Sequence, residues 1–130
     1  MIVDSSALLS ILQQEPDAAR FARVLAQNPG SQMSAANWLE ASMLLYVRQD
    51  EQGVHDLDVL VAHYGIEVVD VTTAQAKAAR RAFMRFGKGV HPARLNFGDC
   101  FAYALAKDTG EPLLFKGGDF TQTDIPAVAY

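Results

Sequence analysis

The chain has 130 residues, half of them hydrophobic and a fifth charged, with a net charge of −4. This balance suits one compact domain and excludes an intrinsically disordered chain. No apolar run approaches the ~20 residues of a membrane-spanning helix, and the start, MIVDSSALL, lacks the basic segment of a secretory signal peptide. The single cysteine, Cys100, excludes an internal disulfide and a zinc site built on several thiolates. We therefore expect a cytoplasmic protein without membrane contact.

Short apolar runs alternate with helical patterns along the whole chain. The apolar runs predict strands at 1–3, 31–33, 66–69 and 113–115, and a further short strand at 127–128. The run at 66–69 is mostly β-branched and lies between Gly65 and Asp70, which predicts a buried strand. Recurring apolar residues predict helices from just after Asp4 to 12 and at 16–27, 34–47, 51–62, 73–86 and 96–109. This alternation predicts an α/β fold, a single domain over residues 1–130 with a central parallel β-sheet flanked by helices.

The net negative charge conceals a basic segment. Residues 71–98 contain no acid but six of the 11 lysines and arginines, whereas the rest of the chain has all 15 acids against five bases. On the helix at 73–86, Ala79, Ala82, Phe83 and Phe86 recur at the spacing of a buried face. The opposite side is basic and could be an ordinary solvated helix face. Because the bases continue into the next loop, we predict a surface that contacts a nucleic-acid phosphate backbone, formed by Lys77, Arg81, Arg85, Lys88 and Arg94.

Four acids stand in places where a carboxylate is costly. Glu40 is the only charged residue between Arg23 and Arg48, and Asp99 opens the apolar helix FGDCFAYALA. Asp4 ends the first predicted strand, and Asp119 follows the strand at 113–115. The carboxyl ends of parallel strands are where ligands bind in such sheets.

Each of these acids also has a structural explanation. Asp4 could cap the helix that follows it, and Glu40 could form a capping box with Asn37. Asp99 is favoured by the dipole in a first helical turn, and Asp119 could be a turn residue. A fifth acid, Asp124 before Pro126, has the pattern of an exposed turn or cap, so its part in a site stays open.

One acidic site would account for all four residues together. Carboxylates that converge in a partly buried pocket repel one another, and a divalent cation removes that repulsion. Ligation by oxygen alone selects Mg²⁺ or Mn²⁺ over zinc. Such an ion polarises a phosphodiester and activates water, so the arrangement indicates phosphodiester hydrolysis.

Four motifs, which together span nearly the whole chain, are VDSSALL, SAANWLEASMLL, LNFGDCFAYALAK and PLLFKGGDFTQTD. In this order they resemble the motifs of the PIN-domain ribonucleases of the VapC toxin type. The resemblance implies a compact α/β domain whose acidic pocket binds Mg²⁺ and cleaves RNA. By motif position it implies Asp4 and Asp99 as the main metal ligands, Glu40 and Asp119 as the rest of the catalytic set, and Ser6 as a supporting hydroxyl. It also implies a VapB-type antitoxin as partner and a homodimer, for which the apolar helices before Gly65 offer surfaces.

Two other classes of protein compete with this interpretation. A receiver-like signalling domain also has an acidic Mg²⁺ pocket, but it needs adjacent acids after the first strand, where this chain has Ser5 and Ser6. A binding module without turnover would use the acids for structure alone. Transfer of phosphate from a small phosphodonor separates the first alternative, and RNA cleavage the second.

Overall fold

The computed structural model describes all 130 residues and contains four strands and five helices. The strands are β1 (Ile2–Val3), β2 (Gln32–Ser34), β3 (Glu67–Val69) and β4 (Leu113–Leu114). The helices are α1 (Ser5–Leu12), α2 (Ala18–Gln27), α3 (Ala35–His63), α4 (Thr73–Phe86) and α5 (Phe97–Thr109). None of the helices combines the length and the hydrophobicity needed to cross a membrane.

The four strands form one parallel sheet in the order β3-β2-β1-β4. Ile2 of β1 pairs with Gln32 of β2 on one side and with Leu113 of β4 on the other. Side chains of successive strand residues point to opposite faces, so Ile2 and Leu113 join the core against α4 and α5. Val3 and Leu114 join the core against α1, α2 and α3. The sheet is therefore covered by helices on both faces, as the sequence predicts.

Side-chain caps fix where four of the helices begin. Asp4, Ser34, Thr72 and Asn96 precede α1, α3, α4 and α5, and each accepts a hydrogen bond from a backbone N–H in the first turn. Gly110 ends α5 in the left-handed conformation, with φ of 71°, which a glycine adopts without strain. Two of these capping residues, Asp4 and Asn96, lie near the carboxyl ends of the strands, where the candidate site is found.

The structure differs from three predictions made from the sequence, two about burial and one about strand pairing. The sequence predicts a buried β3, but β3 is an edge strand, and Val68 is 37% exposed because the edge of a sheet has fewer neighbouring elements to cover it. Phe83 was assigned to the buried face of α4, yet it is 42% exposed beside the highly exposed Phe97. The predicted strand at 127–128 is only one bridge, between Leu113 and Ala127.

The two predicted helices at 34–47 and 51–62 are joined into α3 across a kink. Gln49 and Asp50 leave helical geometry, and Asp50 has φ of 52° and ψ of −145°. This region of backbone space is essentially confined to glycine, since a Cβ atom there is strained. The kink therefore stores strain at a single exposed aspartate.

Asp50→Gly is expected to raise the free energy of unfolding by ~1 kcal/mol, because glycine adopts this backbone conformation without a Cβ clash. Urea denaturation measures the change. Glu51→Gly is the matched control, since Glu51 is helical and its replacement should lower stability by ~1 kcal/mol. Equal losses in both variants would show that Asp50 is not strained.

Candidate active site

A cavity of about 540 Å³ opens at the carboxyl ends of β1 and β4. The chain order of the strands reverses here, because β1 pairs with β2 on one side and β4 on the other. Open α/β sheets bind ligands at such a switch point. The four predicted acids all line this cavity, together with further polar side chains; the polar lining is Asp4, Ser5, Ser6, Glu40, Asn96, Asp99, Lys116 and Asp119.

Asp4 is both the cap of α1 and a lining residue of the cavity. Its Oδ2 accepts hydrogen bonds from the Ser6 backbone N–H at 3.0 Å and from the Ser6 hydroxyl at 2.6 Å. Oδ1 receives no hydrogen bond and is not among the buried unpaired atoms, so it is open to the cavity. The cap expected from the sequence thus occupies one oxygen and leaves the other free.

Asp99 likewise takes part in the cap of α5 and lines the cavity. The Asn96 backbone N–H donates to Asp99 Oδ2 at 2.9 Å, and the Asp99 N–H donates to Asn96 Oδ1 at 2.9 Å. This reciprocal pair is a capping box, which orients the carboxyl group firmly. No hydrogen bond reaches Asp99 Oδ1, although the residue is buried.

Glu40 comes to the cavity from the first half of α3. The capping box proposed for it with Asn37 does not form, because Ser34 caps α3 and Glu40 lies beyond its first turn. The Ser5 hydroxyl instead donates to Glu40 Oε1 at 3.2 Å. The carboxylate lies against Gly98, where an added Cβ atom would be 2.2 Å from Oε2.

Asp119 is more exposed than Asp4 and Asp99, and it lies in a turn, as its sequence context also suggested. The loop that carries it is tied to the first turn of α1 through Lys116, whose backbone N–H donates to the Ser6 hydroxyl at 2.9 Å. The Lys116 ammonium is turned to Glu15 and lies 3.7 Å from Asp17. Lys116 is thus the one cationic side chain that lines the cavity, and its charge is already paired.

Burial is the main cause of the unusual acidities in the cavity. It raises the pKa of Asp4 despite the opposing hydrogen bonds from Ser6. It also raises the pKa of Glu40. The pKa of Asp99 rises from 3.8 to about 7, chiefly through burial, and the charges of the neighbouring acids add to the rise. None of these three carboxylates, nor Asp119, forms a salt bridge.

The donor set fits a magnesium-type ion. Uncompensated carboxylates in a buried cavity are costly, and all the anionic donors are oxygen atoms, the ligand that Mg²⁺ and Mn²⁺ prefer. No three acid, histidine or cysteine side chains are arranged to ligate one ion together. An ion here would therefore be held by one or two of these carboxylates, with water completing its coordination.

The predicted basic residues lie outside this cavity. All five are exposed on α4 or the following loop: Lys77, Arg81, Arg85, Lys88 and Arg94. Arg85 lies 3.5 Å from Asp124, and the other four form no salt bridge. Asp124 also binds Lys107 and the Tyr103 hydroxyl, so it belongs to this basic side and not to the acidic cavity.

The family model for the PIN domain matches residues 1–126 of the chain. The ribonuclease VapC30 of Mycobacterium tuberculosis is 46% identical over 129 residues, which cover 99% of this chain and 98% of that protein. The ribonuclease VapC of Mycolicibacterium smegmatis is 47% identical over 128 residues, which cover 98% of this chain and 99% of that one. The chain belongs to the VapC-type PIN-domain family.

Solved structures show the same PIN fold. The crystal structure of Mycobacterium tuberculosis VapC20, a toxin that cleaves the sarcin-ricin loop, has a TM-score of 0.81 at 20% identity and covers 99% of this chain and 98% of its own. VapBC2 of Rickettsia felis, bound to a DNA fragment from its promoter, has a TM-score of 0.74 at 12% identity, with 98% and 96% covered. The predicted α/β class with a parallel sheet is therefore confirmed.

Several further residues that shape the site of this PIN domain were not predicted from the sequence. Lys116 lies two residues after the end of β4, so the rule that drew attention to Asp119 could have found it. Asn37 lies one helical turn before Glu40 and therefore on the same side of α3. Nothing in the chain order shows that Ser5 and Gly98 contact Glu40, because these contacts join distant segments.

Proposed function

We propose that this chain is a Mg²⁺-dependent endoribonuclease, the toxin of a type II toxin–antitoxin pair, acting on RNA in the cytoplasm. The domain that carries this activity would be the whole of residues 1–130. The observation that carries the proposal is the meeting of four acids without a salt bridge at one switch-point cavity, in a chain closely similar to ribonucleases VapC. The proposed catalytic residues are Asp4, Glu40, Asp99 and Asp119, with Ser6 in support.

The roles follow from how each side chain is held. Asp4 and Asp99, oriented by their caps, would hold the ion through their free oxygens, and Glu40 and Asp119 would complete the acidic set. When bound, Mg²⁺ (or Mn²⁺) neutralises the carboxylates, polarises the phosphodiester and lowers the pKa of water. Glu40, held by the Ser5 hydroxyl rather than by a helix cap, would stand beside these two ligands. Ser6 fixes Asp4 and, through Lys116, the loop that carries Asp119.

Metal dependence tests the proposal against a binding module that lacks turnover. Purified protein should cleave single-stranded RNA with Mg²⁺ or Mn²⁺ and lose the activity in excess EDTA, and added Mg²⁺ should restore it. Cleavage that persists in EDTA would exclude the mechanism, and binding of RNA without cleavage would favour the module. Family membership favours the nuclease over a receiver-like domain, and the absence of labelling by a small phosphodonor would agree.

The exposed bases of α4 and its following loop are proposed to contact the RNA backbone. Four of them carry no ion pair, so their charges are available to phosphates. Asp124 already neutralises part of the charge at Arg85. Arg81, exposed and unpaired on the same helix, is therefore the sharper test of the surface.

Arg81→Ala is expected to weaken RNA binding and to reduce the slope of log K against log salt by about 1, because one phosphate contact is lost. Binding is measured in the Asp99→Asn background, so that the RNA stays intact. Arg23→Ala on α2 is the control, since Arg23 is also exposed and unpaired but is remote in sequence from the basic segment. Equal slopes for both variants would remove α4 from the RNA surface.

The partners are proposed to be a VapB-type antitoxin and a second copy of the chain. Structures similar to this one include VapBC complexes. Leu39, Met43 and Val47 are exposed at a spacing of four residues on α3, which leaves one apolar face of that helix uncovered. Phe97 extends the face, and Met43 also lines the acidic cavity, so a partner there would lie beside the site. We propose this face as the homodimer contact.

Leu39→Asp is expected to shift the protein from dimer to monomer, because a charge would be buried in the apolar contact. Sedimentation velocity measures the change. Val59→Asp is the control, since Val59 has the same exposed fraction, 53%, but lies in the second half of α3. A dimer that survives Leu39→Asp would place the contact elsewhere.

A further inference from the structure

Glu40 owes its place in the cavity to a gap in the opposite helix. Gly98 is the second residue of α5, and a Cβ atom there would be 2.2 Å from Glu40 Oε2 and 2.6 Å from Cδ. Any other side chain at position 98 would therefore displace the carboxylate. The absence of a side chain lets Glu40 lie beside the residue that precedes Asp99.

Asn37 holds this part of α5 against α3. Its Nδ2 donates to the Gly98 carbonyl oxygen at 2.8 Å, a contact between residues 61 positions apart. Asn37 is fully buried, and its Oδ1 has no hydrogen-bond partner. An unpaired buried carbonyl is costly, so this amide contributes less net stability than a fully hydrogen-bonded one would.

Two side chains of α3 therefore contact the same residue of α5. Asn37 and Glu40 are three residues apart on one side of α3 and both meet Gly98. The Ser5 hydroxyl holds the other oxygen of Glu40. The amide thus sets the distance between α3 and the first turn of α5, and that distance sets where the Glu40 carboxylate lies relative to Asp99.

We propose that Asn37 and Gly98 are positioning residues for Glu40, so that neither touches RNA or metal but both determine how the acidic set is arranged. The proposal rests on the function proposed above for the same cavity. It names two residues whose loss should mimic the loss of Glu40 without removing an acid.

The first test replaces the amide by an apolar side chain of similar volume. Asn37→Leu should lower kcat for RNA cleavage by about tenfold or more, with little change in KM, as is typical for loss of an outer support. Its melting temperature should stay within roughly 3 °C of the wild-type value, because a half-paired buried amide is removed. Asn28→Leu is the matched control, since Asn28 Nδ2 also donates to a carbonyl oxygen at 2.8 Å, within α2 and outside the site. It should leave kcat unchanged.

The second test asks whether both residues act through Glu40. Gly98→Ala should reduce kcat in the wild-type background but have no further effect in the Glu40→Ala background, where the clash is gone. In that background the alanine should also raise the melting temperature, because alanine favours a helix over glycine. Asn37→Leu should likewise add nothing to Glu40→Ala.

A readout without RNA separates this proposal from the nuclease itself. Mn²⁺ binding, followed by electron paramagnetic resonance, should weaken by similar factors in Asn37→Leu and Glu40→Ala. If the wild-type protein binds Mn²⁺ but cleaves no RNA, the proposed function fails while the positioning role is still measured. Full additivity of the substitutions with Glu40→Ala, or unchanged Mn²⁺ binding in Asn37→Leu, would overturn the positioning role.

Discussion

Asp4→Asn and Asp99→Asn are each expected to lower kcat for Mg²⁺-dependent RNA cleavage by about a thousandfold or more. Each substitution removes one negative charge from a proposed metal ligand, and loss of metal-assisted charge stabilisation is worth several kcal/mol, with each ~1.4 kcal/mol equal to about tenfold in rate. Asparagine keeps an oxygen that can accept the capping hydrogen bonds now made by Oδ2. The loss should therefore appear without unfolding, which circular dichroism checks.

Asp124→Asn is the matched control for these variants. Asp124 is an acid from the last of the sequence motifs, but it binds Lys107 and the Tyr103 hydroxyl away from the cavity. Its replacement should cause no comparable loss of cleavage. A similar loss in all three variants would mean that the acids act through general folding or charge, and the metal site would have to be abandoned.

The second large effect concerns the stability of the metal-free protein. The pKa of Asp99 rises from 3.8 to about 7 in the folded state, chiefly because the group is buried. The folded state therefore binds the proton more tightly than the unfolded state does between these values. The resulting stability is complete below about pH 4 and is lost as the pH rises to about 7, and it amounts to on the order of a few kcal/mol at most.

In excess EDTA, the free energy of unfolding should therefore fall between pH 4 and 7. Asp99→Asn should flatten this dependence and be more stable than the wild-type protein at pH 8, since asparagine has no charge to bury. Added Mg²⁺ should restore stability to the wild-type protein far more than to the variant. Lower stability for Asp99→Asn at pH 8 would show that the carboxylate mainly serves the capping box.

The fold could be predicted because its elements are encoded locally. Asp4, Ser34, Thr72 and Asn96 mark helix starts by side chains that bind their own first turn. Edge or centre position in the sheet depends instead on pairing between distant segments. The burial predicted for β3 was wrong for that reason.

The site was predictable to the extent that its residues follow strands or interrupt apolar helices. Asp4, Glu40, Asp99 and Asp119 could be selected this way, and the structure brings them to one cavity. The sequence places Asn37 one turn from Glu40, but it cannot show that Asn37 and Glu40 both meet Gly98, because that contact forms only when the two helices pack together. The RNA contact of the basic residues stays a prediction, because their exposure and their charges are compatible with it but do not test it.

The most direct test of the acidic site is to sequence RNA 5′ ends after brief expression of the wild-type chain and of Asp99→Asn. If the four acids form a metal site that hydrolyses RNA, new ends should accumulate at defined positions with the wild-type chain and be absent with Asp99→Asn at equal protein level. Identical end profiles from the two chains would contradict this function for the cavity.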